Sequence, residues 1–341
     1  MAFGICVLGL DHWYTAFGVL DTCNASGQTP LTSVYEPDAG RRAEVTAAYP
    51  GVLVTDDVDA ALGVPGVELA AVCAKTGDAV GLSGRALQAG KHVISVKPFA
   101  RSKNEADALS GVARRSGRFF GSFEGMQRLH PRAELLRELI ASRVIGDVIA
   151  LHQVGHGPLP APWRGAASGG PSWWLDAEQV PGGAWIDHAI YAVDLARFAL
   201  RGEITAGYGT LGNRVHKHLP VEDYGAAILT LSPEAAPLSP EAASLVPDVT
   251  LFITDTWCAE PGAGYNEYRF IGTRGTITAD GYSAWIVQNK DGMTRREIEP
   301  GAFFAMGKLA ALLESGETPP FGAEDALRNL VACLGVYENR R

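Results

Sequence analysis

Residues 69–98 read LAAVCAKTGDAVGLSGRALQAGKHVISVKP. Leu69-Ala70-Ala71-Val72-Cys73 is an unbroken apolar run of strand length, and His92 to Val96 is another. Between them a helical period runs through Leu82 to Ala89 and stops at Gly90, the residue type best suited to the left-handed turn that ends a helix. A strand buried on both faces needs apolar residues at every position. Apolar strand, helix, apolar strand is therefore the unit of a parallel sheet covered on both sides.

The same alternation extends upstream. Ile5-Cys6-Val7-Leu8 is an apolar strand, Tyr14 to Cys23 reads helical, and Leu31 to Tyr35 is β-rich. A helix over Ala39 to Tyr49 turns Arg41, Arg42 and Glu44 to water, and Val52-Leu53-Val54 and a helix over Val58 to Leu62 follow. Residues 1–121 are expected to form a Rossmann-like, doubly wound α/β domain. Downstream the pattern changes. An amphipathic helix over Pro131 to Ser142 precedes strand-like stretches at Val148–Val154, Thr205–Leu211, Tyr224–Leu231, Val249–Ala259, Tyr268–Ile271 and Thr276–Thr278. Too few helices lie between them for βαβ units, so residues 122–341 are expected to form a second domain with a large, mostly antiparallel open sheet. Its last helix is free to pack back on the first domain. The hexapeptide LSPEAA occurs at 231–236 and again at 238–243, and its Pro- and Ala-rich composition reads as a surface loop without chemistry.

Composition excludes several classes. The 341-residue chain carries a formal charge of −9, which on balance repels nucleic acid and anionic membranes. No run of basic residues is longer than a pair such as Arg41-Arg42 or Arg114-Arg115. No apolar run approaches the roughly 18 residues of a membrane span. The start, MAFGICVLGL, has neither a basic segment nor a small-residue cleavage site, so no secretory signal is expected. Five cysteines, without CxxC spacing, fit a reducing cytoplasm. His152 with His156, and His216 with His218, lack a third ligand at metal-binding spacing, so no metal is expected.

Three places bear chemistry. The first strand-to-helix turn reads Gly9-Leu10-Asp11-His12-Trp13-Tyr14, where a helix N-terminus would face a dinucleotide pyrophosphate. Gly9 fits the first glycine of such a turn, while Asp11 and Tyr14 stand at the second and third positions. Glu36 ends the second strand, where a carboxylate takes ribose hydroxyls and repels a 2′-phosphate; this favours NAD, with NADP the alternative through Arg41 and Arg42. Lys97 stands just beyond the carboxyl end of the His92–Val96 strand, followed by Pro98. Finally, a helix beginning at Ala184 carries Asp187, Tyr191 and Asp194 on one face, with His188 about one hundred degrees around it. A hydrogen-bond network accounts for such a stripe as readily as catalysis does.

Five stretches, in order, resemble the Gfo/Idh/MocA family of oxidoreductases: VYEPDAGR, ALQAGKHVISVKP, GSFEGMQRLHPRAELLRELIASRVIGDV, PGGAWIDHAIYAVDLARF and YRFIGTRGTITADG. The resemblance covers nearly the whole chain. It implies a two-domain NAD(P)-dependent enzyme acting on sugars, cyclitols or related polyols, with the second domain binding substrate and mediating assembly. It makes Lys97 the catalytic lysine, Asp187 the helix carboxylate and Tyr191 the acid/base; His188, from its place on the helix, is expected to reach the same cleft from its rim and to act on substrate affinity. Gly9, Asp11, His12, Trp13, Glu36, Lys97 and Pro98 become the expected cofactor contacts. Val96 replaces the family's Glu, Ala79 stands where a His is usual, and Lys75-Thr76 replaces Pro-Asn. A Tyr phenol titrates near 10 unperturbed, so an ammonium such as Lys97 is expected to favour its phenolate. The resemblance also implies a homodimer or homotetramer through a free sheet face fed by Phe252 and Trp257. Two other classes share the fold: glycosidases that use NAD for transient oxidation, and non-catalytic sugar sensors.

Overall fold

The computed structural model describes residues 3–163, 172–233, 248–302 and 304–339. By contacts the chain divides into two units, the first made of residues 1–126, 161–181 and 303–328, the second of 127–160, 182–302 and 329–341. The expected single boundary at 121/122 differs from this division. The chain returns to the first unit twice, because segments 161–181 and 303–328 pack there. The last helix, Ala323–Glu338, begins in one unit and ends in the other.

The first unit holds a six-stranded sheet of β1 (Gly4–Leu8), β2 (Leu31–Tyr35), β3 (Leu53–Thr55), β4 (Val67–Val72), β5 (His92–Ser95) and β6 (Phe120–Ser122), in the order β3-β2-β1-β4-β5-β6. All pairings are parallel. Helices α1 (Trp13–Asn24), α2 (Ala39–Ala48), α3 (Val58–Leu62), α4 (Thr76–Gln88) and α5 (Lys103–Ser116) connect the strands, and the short α6 (Phe123–Met126) follows β6. This is the doubly wound order, whose topological switch lies between β1 and β4. The apolar strands do what their composition requires: Ile5, Cys6, Val7, Leu8, Ala70, Ala71, Val72 and Cys73 are all buried. Helix α4 starts six residues ahead of the expected Leu82, since its first turns are poor in large apolar residues and give a weak periodic signal.

The second unit contains α7 (Pro131–Ala141), α8 (Ala184–Leu200) and an eight-stranded sheet. Its strands are β7 (Val148–His156), β8 (Gly202–Gly212), β9 (Tyr224–Pro233), β10 (Val249–Thr256), β11 (Tyr265–Gly272), β12 (Gly275–Asp280), β13 (Ala284–Asn289) and β14 (Gly292–Glu297), in the order β14-β13-β12-β11-β7-β10-β9-β8. Only the β10–β7 pairing is parallel. Helices α9 (Met306–Ser315) and α10 (Ala323–Glu338) close the chain. Most of the LSPEAA duplication, residues 234–247, lies outside the described residues. The strand pair β13–β14 was not anticipated, as β14 is exposed along its length and has no apolar alternation.

Register explains the burial of this sheet. Leu229, Leu251, Leu151, Phe270, Ile277 and Val287 stand side by side across β9, β10, β7, β11, β12 and β13, and all are buried. One residue along, Tyr208, Ile228, Phe252, His152 and Arg269 form the opposite row, with Phe252 41% exposed. The period of two puts one row under the helices and the next on the outer face. Trp257 does not join Phe252 there, as the sequence suggested. It lies just past the end of β10 and is buried.

Candidate functional site

The residues expected to contact a cofactor lie in the first unit. Gly9 follows β1 with φ +78°, and a Cβ on it would lie 2.7 Å from that of Ala74, so the turn demands glycine twice over. Asp11 does not leave the open space of a second glycine. Its carboxylate accepts from the Lys75 amide at 3.1 Å and pairs with Arg41 at 2.8 Å, tying the turn to α4 and α2. His12 donates its amide to the Cys73 carbonyl, and its ring lies against Tyr14, Trp173 and Trp174. Trp13 donates from its indole to the Ala161 carbonyl, as Trp173 does to that of Asp11. The paired tryptophans of SWWLD were not singled out in the sequence, although two adjacent indoles ahead of a glycine-rich helix start were a signal.

Glu36 ends β2 where the ribose carboxylate belongs. It accepts from the Leu10 and Asp38 amides, both at 2.9 Å, and Arg41 lies 3.8 Å away. Burial pushes its carboxyl above the usual range, against the pull of the Asp38 amide, Arg41 and the Leu10 amide. Helix α1 has no side-chain cap and no acidic residue in its first turn. Its positive end, the close approach allowed at Gly9 and the spare lone pairs of Glu36 suit a dinucleotide's pyrophosphate and ribose. The residues present thus fit NAD. Lys97 and Pro98 follow β5, joined by a cis peptide bond, and both are buried. The Lys97 ammonium sits 5.0 Å from the centre of the Trp174 ring, a cation–π contact.

The second unit carries Asp187, His188 and Tyr191 on α8. The glycines ahead of this helix are required by packing. A Cβ on Gly182 would collide with the Tyr337 hydroxyl, and one on Gly183 with the Glu222 carbonyl. Glu222 caps the helix from outside it: one carboxylate oxygen accepts from the Gly183 amide at 2.9 Å, the Trp185 amide at 3.2 Å and the Tyr337 hydroxyl at 2.8 Å. Asp194, the third member of the stripe, is structural. It is wholly buried, pairs with Arg128 at 2.6 Å, and also accepts from Asn329 and Gln127.

Asp187 and His188 meet a residue that sequence reasoning missed. Asp187 is buried and accepts from the Trp257 indole at 3.1 Å. The His188 Nδ1 lies 3.4 Å from Asp187 and 3.3 Å from Asp255, a buried carboxylate on β10. The His188 side chain is 47% exposed, so one edge of the ring faces two buried carboxylates while the ring also reaches solvent. Gly155, opposite Asp255 in the parallel pairing, leaves room for this: a Cβ there would lie 2.8 Å from the carboxylate. The signal was an aspartate on the apolar face of an alternating strand. Tyr191 is half-buried, with its carbonyl accepting from Gln127. Among the described residues no group of three or more His, Cys, Asp or Glu is arranged to hold a metal, and no helix is long and apolar enough to cross a membrane.

Residues 7–123 match the family described as an oxidoreductase family with an NAD-binding Rossmann fold, and residues 133–278 match the GFO/IDH/MocA C-terminal domain. Solved structures share the fold end to end. The aldose–aldose oxidoreductase from Caulobacter crescentus, complexed with glycerol, is 20% identical with TM-score 0.81 over 99% of this chain and 97% of its own. An oxidoreductase from Agrobacterium radiobacter in complex with NAD+, L-tartaric acid and magnesium is 16% identical, TM-score 0.80, over 99% and 96%. A 3-ketoreductase from Actinomadura kijaniata, a mutant in complex with TDP-benzene and NADP, is 21% identical, TM-score 0.78, over 100% and 98%. No curated protein sequence is significantly similar.

The Glu222 cap yields a pH test. Burial raises its carboxyl above the ordinary 4.5 in the fold, outweighing the Tyr337, Gly183 and Trp185 donors. The folded state then binds more protons than the unfolded one above that pH, so this group's contribution weakens as pH rises through the window. Glu222→Gln removes that slope. Urea unfolding of both proteins between about pH 4.5 and 8 should show the variant gaining on the parent as pH increases. A stability difference constant across the window would refute the assignment.

Proposed function

The chain belongs to the Gfo/Idh/MocA family of NAD-binding oxidoreductases, and from that premise we propose that it transfers a hydride between a nicotinamide cofactor and a secondary alcohol or ketone of a sugar, cyclitol or related polyol. The observation that carries the reading is His188, whose Nδ1 lies 3.4 Å from the Asp187 carboxylate and 3.3 Å from that of Asp255. Sugar chemistry is supported by the names of the aldose–aldose oxidoreductase and the 3-ketoreductase that share the fold. A dinucleotide held through its pyrophosphate at the Gly9 turn and through ribose hydroxyls at Glu36 would supply the hydride acceptor that no side chain can provide.

The remaining task in alcohol oxidation is removal of the hydroxyl proton as the C–H bond breaks. A proton kept on Nδ1 by the two carboxylates leaves Nε2 as the basic nitrogen of His188, and the resulting imidazolium is stabilised by both. In ketone reduction the same nitrogen returns the proton. The sequence reading assigned this step to Tyr191. We favour His188 because a phenol needs a shifted pKa to act as base, whereas an imidazole does not. Tyr191 then orients substrate hydroxyls from one turn along the helix, and Lys97 keeps the part of catalytic lysine that the family resemblance gives it. A reducing, cytoplasmic setting is supported by five free cysteines, four of them buried.

His188→Ala and Lys97→Met should each lower kcat by about 10²- to 10⁴-fold, far more than they weaken cofactor binding. Tyr191→Phe should raise KM more than it lowers kcat. If Tyr191→Phe abolishes turnover and His188→Ala does not, the proton belongs to Tyr191. Release of sugar from a glycoside without net cofactor reduction would replace the dehydrogenase reading with that of a glycosidase.

Cofactor choice follows from Glu36. NAD(H) should bind more tightly than NADP(H) in a fluorescence titration, because the carboxylate repels a 2′-phosphate and Arg41 is already committed to Asp11. Equal or reversed affinities would overturn this.

Assembly is proposed through the outer face of the eight-stranded sheet, where Phe252, Tyr208 and Ile149 are exposed. Light scattering at micromolar concentration should give a dimer or tetramer. A mass near 36.1 kDa would exclude it.

A further inference from the structure

Beyond His188 and its carboxylates, the second unit contains a cation without an anion. Arg132, in the first turn of α7, lies 5.1 Å from the ring of Tyr268, 5.1 Å from that of Tyr282 and 4.6 Å from that of Trp285. The Trp285 indole also donates to the Arg132 carbonyl at 2.9 Å, which fixes the cage to the helix. Burial lowers the Arg132 pKa, and the only groups opposing it are Tyr268 and Tyr282. Among the described residues no carboxylate pairs with the guanidinium, and its buried Nε has no hydrogen-bond partner. Glu134, the acidic residue of the same helix turn, is exposed and makes no ion pair with it. The position adds to the cost, since the start of a helix is its positive end.

Next to the cage lies a second unsatisfied group. Gln153 on β7 stands directly opposite Tyr268 on β11 and is 2% exposed, yet neither its amide nitrogen nor its amide oxygen has a partner. Leu151, two residues earlier on the same face, shows what packing alone would place there. A buried amide left unpaired is costly at each of its polar atoms. Asp255 bears on the Tyr268 phenol, and it is the carboxylate that faces His188. Adjacent strands are about 4.8 Å apart, so Tyr268, two strands from Asp255, is roughly 10 Å across the sheet from it.

We propose that Arg132, Gln153 and Tyr268 form an oxyanion-recognition subsite that takes a carboxylate or phosphate of the substrate, so that the alcohol oxidised belongs to an acidic sugar derivative. The planar guanidinium offers two parallel donors to such a group, the Gln153 amide a third, and the aromatic cage keeps the fork from swinging to water. A neutral polyol would leave the half-buried arginine, with its buried Nε, without a counter-charge. The proposal rests on the polyol oxidoreductase reading for the turnover step only. Binding at the subsite is independent of it.

The test compares glucuronate, glucose 6-phosphate and glucose with the full-length protein, by thermal shift without cofactor and by NAD-dependent turnover. At least one acidic probe should raise the melting temperature where equimolar glucose does not, and its KM should be about 10- to 100-fold lower than that of glucose, the range expected for a charge-assisted hydrogen-bonded pair. Whichever acid is preferred identifies the anion as carboxylate or phosphate. Arg132→Met should remove the preference and Arg132→Lys should restore part of it. Because Arg132→Met takes a cation out of three rings and risks misfolding, Gln153→Leu serves as the second variant. It should hold or raise the melting temperature while weakening the acidic probe. Equal shifts for all three probes, or an acid preference that survives both Arg132→Met and Gln153→Leu, would overturn the subsite. Shifts specific to the acids with no cofactor reduction by any alcohol would uphold the subsite and refute the oxidoreductase reading instead.

Discussion

A helix that has to present polar side chains in fixed positions must be stopped from sliding or turning about its axis, and α8 is stopped by buried carboxylates. Glu222 gathers the Gly183 and Trp185 amides at its start. Near its middle Asp194 binds Arg128, Asn329 and Gln127, and in its last turn Arg197 pairs with Glu203 and Asn329. Such groups are poor sources of net stability, since desolvation offsets most of their attraction, but removing one partner of a buried pair costs about 3–5 kcal/mol. Their geometric demands are strict, which suits a role in register. The orientation of Asp187 and His188 toward Asp255 depends on this fastening.

The turn after β1 is built on similar terms. One glycine, Gly9, meets the steric demand, and the place of a second is taken by a carboxylate that stitches the turn to α4 through Lys75 and to α2 through Arg41. Asp11 is negative where an anionic cofactor is expected, but Arg41 neutralises it, and α1 itself contributes no acid in its first turn. The indoles of Trp173 and Trp174, brought in by the returning segment 161–181, complete the surroundings of His12 and Lys97.

In the second sheet polarity is graded along the strands. The row through Leu229, Leu251, Leu151 and Phe270 is wholly apolar. Two residues along, Gln153 and Tyr268 appear, and two further, Asp255 stands between Gly225 and Gly155. Gly155 has no side chain to crowd the Asp255 carboxylate, and Gly225 admits the backbone of Trp185 at the head of α8. The sheet is thus a hydrophobic core at one end and a polar floor at the other, with α8 laid along it.

Periodicity alone determined the doubly wound unit, because strands buried on both faces must be continuously apolar and their connecting helices must be amphipathic. It also revealed α8 and the polar stripe on it, since the spacing of Asp187, Tyr191 and Asp194 is a property of one helix. What each of these residues touches was decided by tertiary structure. Asp194 became a structural ion pair because Arg128, 66 positions away, folds against it. Asp255 and His188 came together only through the register of β10 against α8, and Trp257 turned inward to Asp187 instead of joining Phe252 outside. Two segments distant in sequence, 161–181 and 303–328, entered the first unit without a local signal. Local propensity depends on neighbours within a turn or a strand, whereas a buried charge takes whatever partner the closed chain delivers, and that pairing is written in no single stretch of sequence.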